Sequence, residues 1–315
     1  MNYLDFESKI KEIEDKITSL SHIFEDEKTE AEIKKLSKKR LDLMESTYSK
    51  LTDWQVVQLS RHPDRPYFKD LLPLIFTGFQ ELHGDRTFGD DLAVIGGLAK
   101  LNNKPVMVIG QEKGRDTKSK IKHNFGMMHP EGYRKALRLM KLAEKFNMPV
   151  VTFIDTPGAY PGIKAEERGQ SEAIARNLLE MSALKVPVVC IVIGEGCSGG
   201  ALGIGVGDKL LMLQYSYFAT ISPEGCASIL HKTAEKASEV TQMMNITSGR
   251  LKELKIVDEV IAEPLGGAHR DYETTATNIS KAIAAELKVL SEMTVEQRNS
   301  KRYDKLMSFG RFKEA

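Results

Sequence analysis

Val186-Pro-Val-Val-Cys-Ile-Val-Ile-Gly-Glu-Gly-Cys-Ser-Gly-Gly200 decides the fold of this 315-residue chain. The run from Val188 to Ile193 is short, apolar and β-branched, which reads as a strand buried on both faces. It is expected to stop at a loop holding Gly194, Gly196, Gly199 and Gly200. Glycine lets a backbone turn sharply and lets a ligand approach bare N–H groups. Such a loop brings backbone donors, rather than a side chain, to the point of chemistry.

The same unit occurs once before. Pro149-Val-Val-Thr-Phe-Ile154 runs into Asp155-Thr-Pro-Gly-Ala-Tyr-Pro-Gly162, and a helix is expected over about 166–184, with Ala173, Ile174, Leu178 and Met181 on one side. Pro149 aligns with Pro187, Gly158 with Gly196 and Gly162 with Gly200, all at an offset of 38 residues. Pro105-Val-Met-Val-Ile109 is an earlier strand of the same series. Repeated strand–loop–helix units imply parallel strands with crossovers. Both glycine loops then leave the same edge of the sheet, where open α/β sheets bind ligands.

Further out, the amino end reads as helical over 1–48. Ile10, Ile13, Ile17 and Leu20 recur at gaps of three and four. A polar run at 25–30 interrupts, and Ile33 and Leu36 resume the stripe, with Leu41 and Met44 close to it. Two antiparallel helices result, serving either their own core or a subunit interface. Residues 60–90 are rich in turns and charges. Leu92–Lys100 and Val106–Ile109 flank a hairpin turn at Asn102-Asn103. The loop 111–123 carries Lys113, Arg115, Lys118, Lys120 and Lys122. It reads as a solvated, mobile loop or as a phosphate-capturing one. Pro130 opens a helix with Tyr133, Ala136, Leu137, Met140 and Ala143 on its apolar face. Lys209–Leu213, Tyr217–Ile221 and Ile256–Ala262 read as strands. Ser222 starts a short helix, a long helix carries Ala276, Ile279, Ile283, Leu287 and Leu290, and a polar surface helix closes the chain. The expected divisions are a hairpin at 1–50, a main domain at 51–290 and a polar helix or tail at 291–315.

Composition narrows the function. Charged residues are 28% of the chain, yet the formal net charge is +1, so no general case arises for nucleic-acid or membrane binding. No apolar run approaches the ~20 residues of a spanning helix, and the first residues lack a signal-peptide pattern. The three cysteines, Cys190, Cys197 and Cys226, form no Cys-x-x-Cys. They point to a reducing compartment, the cytoplasm, and to no metal site in this chain.

Three motifs overlap near the central loop. Gly194-x-Gly196-x-x-Gly199 is a literal dinucleotide fingerprint, but the next acid is Asp208 and the glycines after Gly200 make a poor helix. Gly196-Cys-Ser198-Gly-Gly200 matches a Gly-x-Ser-x-Gly nucleophile elbow. Asp208 or Asp258 and His231 or His269 follow in triad order, so a serine hydrolase using Ser198 is the alternative reading. Asp155-Thr-Pro-Gly158 is similar to a GTPase switch, but no Gly-x-x-x-x-Gly-Lys-[Ser/Thr] accompanies it, which excludes a P-loop nucleotidase. A fourth reading uses both glycine loops. The adjacent N–H groups of Gly199 and Gly200, at a strand-to-helix junction with the helix dipole behind them, form an oxyanion hole.

Glu81-Leu-His-Gly-Asp-Arg-Thr-Phe-Gly-Asp-Asp91, Asn124-Phe-Gly-Met-Met-His-Pro-Glu-Gly-Tyr133, Phe153-Ile-Asp-Thr-Pro-Gly-Ala-Tyr-Pro-Gly162 and Gly194-Glu-Gly-Cys-Ser-Gly-Gly-Ala-Leu202 together resemble the α subunits of the carboxyltransferases of bacterial acetyl-CoA carboxylases. The resemblance runs in one register from the hairpin to about residue 290. It implies a crotonase-like ββα spiral, an α/β fold with the helical hairpin in front. It also implies transfer of a carboxyl group from carboxybiotin to acetyl-CoA, giving malonyl-CoA for fatty-acid synthesis. No cofactor is then held by this chain itself, and ATP belongs to a separate biotin carboxylase step. The implied partners are a zinc-ribbon β subunit in an α2β2 heterotetramer, biotin carboxyl carrier protein and biotin carboxylase. By the same resemblance Gly199 and Gly200 supply the oxyanion hole beside Gly196. Gly158, Ala159, Tyr160 and Gly162 shape the carboxybiotin pocket, and Lys164 or Arg168 faces the transferred carboxylate.

Overall fold

The structure is a computed structural model that describes residues 2–22 and 27–310. The amino-terminal stripe becomes two antiparallel helices, α1 (Ser8–Ser21) and α2 (Glu27–Tyr48). Residues 25 and 26 of the expected polar interruption lie outside the described residues. Ile10, Ile13, Met44 and Tyr48 are buried at the base of the hairpin, and Ile10, Met44 and Tyr48 join one cluster with Val56, Leu59 and Tyr215. Ile17, Leu20, Ile33 and Leu36, farther from the body, are only half-buried. The stripe therefore serves the chain's own core at one end. Helices α3 (Asp53–Ser60) and α4 (Phe68–Ile75) follow.

Strands β1 (Thr77–Glu81), β2 (Val94–Leu101) and β3 (Lys104–Gln111) form an antiparallel meander. Asn102 and Asn103 take φ of 48° and 63°, the left-handed pair that a two-residue hairpin turn requires. After α5 (Thr117–Lys122) and α6 (Pro130–Lys145) comes β4 (Val150–Thr156). Tyr133, Ala136, Leu139, Met140 and Ala143 are buried on α6, whereas Leu137 is half-buried; the apolar stripe is turned slightly from the expected one. The expected helix at 166–184 is split into α7 (Ile163–Glu167) and α8 (Gln170–Ala183), because Gly169 sits at φ 80° between them. Then come β5 (Val188–Cys197), α9 (Ser198–Leu202), β6 (Lys209–Leu213) and β7 (Tyr217–Ala219). The chain closes through α10 (Pro223–His231), α11 (Ala237–Met244), α12 (Ser248–Glu253), β8 (Glu259–Ile261), α13 (Tyr272–Ser291) and α14 (Val295–Met307).

The sheet runs β1-β2-β3-β4-β5-β6-β8, with β7 also against β5, and every pairing beyond β3 is parallel. Alternate residues feed two cores. Val150, Ile154, Val188 and Val192 pack with Tyr133, Met140 and Met181 of α6 and α8. Val151, Phe153, Val189 and Ile191 pack with Phe68 of α4 and Ile279 and Ile283 of α13. Both faces are covered, so these strands show continuous apolar runs instead of alternation.

The offset of 38 is the register of the β4–β5 ladder: Val150 pairs with Val188, and each residue through Ile154 with Val192 keeps that spacing. It then breaks, since Thr156 pairs with Gly196. The strand also continues past its expected stop at Gly194. Over Val189–Val192 β5 lies beside β6, and over Glu195–Cys197 beside β7. The turn between the two partners falls at Ile193-Gly194. A side chain on Gly194 would stand 2.5 Å from Asp155 Oδ1, so only glycine fits there. The expected matches of Gly158 with Gly196 and of Gly162 with Gly200 lie beyond the register shift: Thr156 stands opposite Gly196, and Gly158 lies against Gly200.

Candidate active site

Two loops meet where β4 and β5 end. A Cβ on Gly200 would lie 2.3 Å from the carbonyl carbon of Gly158 and 2.6 Å from the nitrogen of Ala159. The two glycine loops are thus in backbone contact. Gly199 is half-buried and Gly200 buried, at the start of α9, where first-turn N–H groups have no acceptor within the helix. That helix has five residues, too few for the expected macrodipole, so local N–H groups are what the site offers.

Buried carboxamides hold this geometry. Gln111, the last residue of β3, donates from Nε2 to Gly200 O at 2.8 Å and accepts the Asp155 N–H on Oε1 at 3.0 Å. Gln170 donates to Met128 O at 2.9 Å and Tyr160 O at 3.0 Å. Asn177 bridges Tyr133 O at 3.1 Å and Gly203 O at 2.8 Å. Tyr160 folds back so that its ring lies 2.4 Å from where a Gly162 Cβ would be, and it faces the His129 ring at 4.3 Å. Sequence reading missed these amides; the only signal was a polar residue inside an apolar pattern.

Beneath the loops lies a buried ionic network. Lys113 Nζ sits 2.7 Å from Asp155 Oδ1 and 2.7 Å from Glu195 Oε1. Glu195 Oε2 accepts from Arg61 Nε at 2.8 Å and from the Tyr217 hydroxyl at 2.9 Å. Arg61 continues to Glu224 at 2.6 Å. Burial pulls the Lys113 ammonium down, but the two flanking carboxylates more than offset it and leave it above its ordinary range. Glu195 is pushed up by burial yet held down to about 2 by Lys113 and Arg61. Burial leaves the enclosed Asp155 carboxyl raised. Lys113 was expected in a solvent-facing loop and is instead a buried counter-ion; of the other cations of that stretch, Lys118 and Lys122 are exposed on α5, and Arg115 pairs with Asp70.

The remaining expected residues are placed as follows. Gly196 lies in β5 beside Phe218, not in a loop. Lys164 is exposed on α7, without an ion pair among the described residues. Arg168 is gripped by both oxygens of Glu131, at 2.8 and 3.0 Å, and stacks on Phe88.

Ser198 does have the left-handed φ, 57°, of a nucleophile elbow, and it is exposed. Its supposed partners are engaged elsewhere. Asp208 bonds the Arg302 guanidinium and the Val188 N–H, and Asp258 bonds Leu210 N and Lys305. His269 is stacked on His62 at 3.8 Å, and His231 is exposed on α10. No triad forms among the described residues, and the hydrolase reading is set aside.

Residues 3–310 match the family described as acetyl co-enzyme A carboxylase carboxyltransferase-like. The acetyl-coenzyme A carboxylase carboxyl transferase subunit alpha of Francisella tularensis subsp. novicida (strain U112) is 97% identical over 100% of both chains. That of Francisella tularensis subsp. mediasiatica (strain FSC147) is 96% identical over the same span. Among solved structures, the transcarboxylase 12S with methylmalonyl-coenzyme A bound superposes at a TM-score of 0.59 and 19% identity, over 72% of this chain and 42% of that one. A Pseudomonas malonate decarboxylase hetero-tetramer in complex with coenzyme A gives 0.57 at 13% identity, over 71% of this chain and 87% of that one. At such identities the likeness establishes the fold, which is crotonase-like.

Proposed function

The chain belongs to the acetyl co-enzyme A carboxylase carboxyltransferase-like family, and on that premise we propose that its paired glycine loops form one half of a carboxyl-transfer site. It is a carboxyltransferase subunit, as its near-identical relatives are. The reaction is transfer of a carboxyl group from carboxybiotin to acetyl-CoA. The observation that carries the assignment of the site is the backbone contact of Gly200 with Gly158 and Ala159. It brings the ends of β4 and β5 together at the start of α9, where first-turn N–H groups have no acceptor within the helix.

The chemistry follows from what those donors can do. When carboxybiotin loses its carboxyl group, negative charge collects on the ureido oxygen. The Gly199 and Gly200 N–H groups stabilise that charge, and fixed donors of this kind are each worth ~3 kcal/mol of barrier. The Gly158–Gly162 segment, with Ala159 and Tyr160, shapes the pocket beside it. Lys164 is the unpaired cation for the carboxylate in transfer, and Arg168, already neutralised by Glu131, positions the loop. The N1 of biotin takes the methyl proton of acetyl-CoA, so no side-chain base is needed, and the thioester enolate attacks the released CO₂ to form the new carbon–carbon bond.

Half a site needs a partner, and the chain has exposed apolar side chains to offer one. Ile163 beside Gly162, and Ile229 and Leu230 on α10, are 78%, 72% and 62% exposed. Large apolar side chains are what a partner covers where they gather on one surface. The partner is a β-type subunit, for which we propose the zinc-ribbon kind in an α2β2 assembly, served by biotin carboxyl carrier protein and biotin carboxylase in the cytoplasm. No described helix is long and apolar enough to cross a membrane. The test is reconstitution: this chain alone is expected to show negligible carboxyl transfer, and addition of the β partner to restore it. Full activity of the chain alone, or labelling of Ser198 by a fluorophosphonate, would overturn the reading.

A further inference from the structure

One cavity lies away from the glycine loops. A space of about 700 Å³ lies at the opposite end of the parallel strands, between the sheet and the last two helices. Its floor is Pro105, Pro149 and Pro187, the residues at or just before the starts of β3, β4 and β5. At ~3.3 Å per residue, the ten-residue β5 separates this floor from Ser198 by up to about 30 Å. The cavity is therefore a separate feature from the glycine loops.

Its chemistry is one-sided. Apolar walls from Leu287 of α13 and Met293 before α14 face the prolines. The charged residues in the lining are Lys104, Lys288 and Arg298, and no Asp or Glu lines it. Lys104 and Lys288 are exposed at the rim. Arg298 is 6% exposed. Its guanidinium donates to the carbonyls of Leu290, Met293 and Lys185 and pairs with no carboxylate among the described residues. Its Nε is buried without a partner. A buried cation with no carboxylate in direct contact is costly, and here it lines a cavity of ligand size.

We propose that this cavity is a binding site for an amphipathic carboxylate, a saturated chain ending in one anionic group. The chain lies along the proline floor and Leu287, where it replaces water on apolar surface. The carboxylate sits among Lys104, Lys288 and Arg298, and supplies the counter-charge the lining lacks.

The probe is sodium dodecanoate below its micellar concentration, titrated calorimetrically into the full chain and into its complex with the β partner. Saturable binding is expected to both. Dodecyltrimethylammonium, with the same chain and opposite charge, is expected to bind at least tenfold more weakly. The double variant Lys104→Glu, Lys288→Glu, both surface positions, is expected to lose at least tenfold in affinity for dodecanoate. Leu287→Trp, which fills the cavity, is expected to abolish binding and leave carboxyl transfer intact. The proposal is overturned by equal binding of the two detergents, by unchanged affinity in the double variant or in Leu287→Trp, or by no saturable binding. It is also overturned if binding to the free chain vanishes on assembly, since the cavity would then be a face that a subunit covers.

Discussion

Replacing Gly200 by alanine, with Gly199→Ala as its partner experiment, separates a packing role from a catalytic one. At Gly200 the added methyl would stand 2.3 Å from Gly158 C and 2.6 Å from Gly158 O. Those are backbone atoms in a segment pinned by Thr156, whose hydroxyl bonds Gly158 O at 2.7 Å. Relief to ordinary van der Waals distance needs the two loops to part by about 1 Å. Overpacking of this size costs about 1–3 kcal/mol of stability, which a domain with ~5–15 kcal/mol in hand survives. The rate suffers more, since a 1 Å misplacement of catalytic groups costs on the order of a hundredfold. At Gly199 the nearest atom is Ile174 Cδ1, at 3.2 Å, the end of a side chain that can turn away. We expect Gly200→Ala in the assembled complex to fold, to melt a few degrees lower, and to lose about a hundredfold in carboxyl transfer or malonyl-CoA decarboxylation. Gly199→Ala is expected to stay within about tenfold. Circular dichroism, melting and steady-state rates on both variants decide the matter. A folded Gly200→Ala with activity within threefold of the parent would refute the contact argument and the oxyanion assignment with it.

Two further outcomes follow from buried groups. Burial, with help from His62 and Arg270, holds the His269 imidazole down to about 3, and both ring nitrogens lack hydrogen-bond partners among the described residues. A lowered folded value means that the group's stability is complete above the ordinary histidine range, near 6.5, and is lost as pH falls toward 3. At pH 5 the loss is ~2 kcal/mol, so His269→Phe should flatten the fall in urea midpoint between pH 7.5 and 5; an unchanged fall would contradict this. Burial raises the Cys197 thiol to about 11 despite its bond with Tyr217, and Cys190 is equally raised and enclosed. Iodoacetamide at pH 8 should therefore label the native chain only at the half-buried Cys226, and mass mapping that finds Cys197 modified would refute it.

Much of the fold was legible because it is written in local pattern. Apolar runs headed by Pro105, Pro149 and Pro187 became β3, β4 and β5, and the 38-residue spacing is a real ladder register over five pairs. What was not legible depends on contacts between distant segments. The extension of β5 beyond Gly194 requires β7 as a new neighbour, and nothing in residues 194–197 announces it. Lys113 looked like one of five loop cations; its partners Asp155 and Glu195 lie 42 and 82 residues away. The polar carboxyl-terminal helix hid Arg302, fully buried and paired with Asp208 at 2.9 Å. Charge in a sequence reports exposure only when no distant partner is waiting for it. The glycine motif itself was readable, but so was a serine elbow, and only the placement of Asp208, His231 and His269 separates them.

Fixed donors stabilise a developing charge only if they need not reorganise when it forms. The means of fixing them is therefore informative. Gln111, Gln170 and Asn177 are neutral amides, whose hydrogen bonds have no titration. In the ionic network below them Glu195 is held near 2 and Lys113 above its ordinary value, whereas burial raises the Asp155 carboxyl. The amide supports of Gly200 and Tyr160 themselves carry no protonation change. Asp91 differs. Burial raises its carboxyl to about 6, and it accepts the His129 N–H at 2.8 Å, next to the ring that faces Tyr160. Its raised value means the folded state is favoured most with Asp91 neutral, and that advantage fades as pH rises through 6. The pH sensitivity that Asp91 brings between pH 5 and 7 is thus expected on the Tyr160 side of the proposed pocket, away from the proposed oxyanion donors.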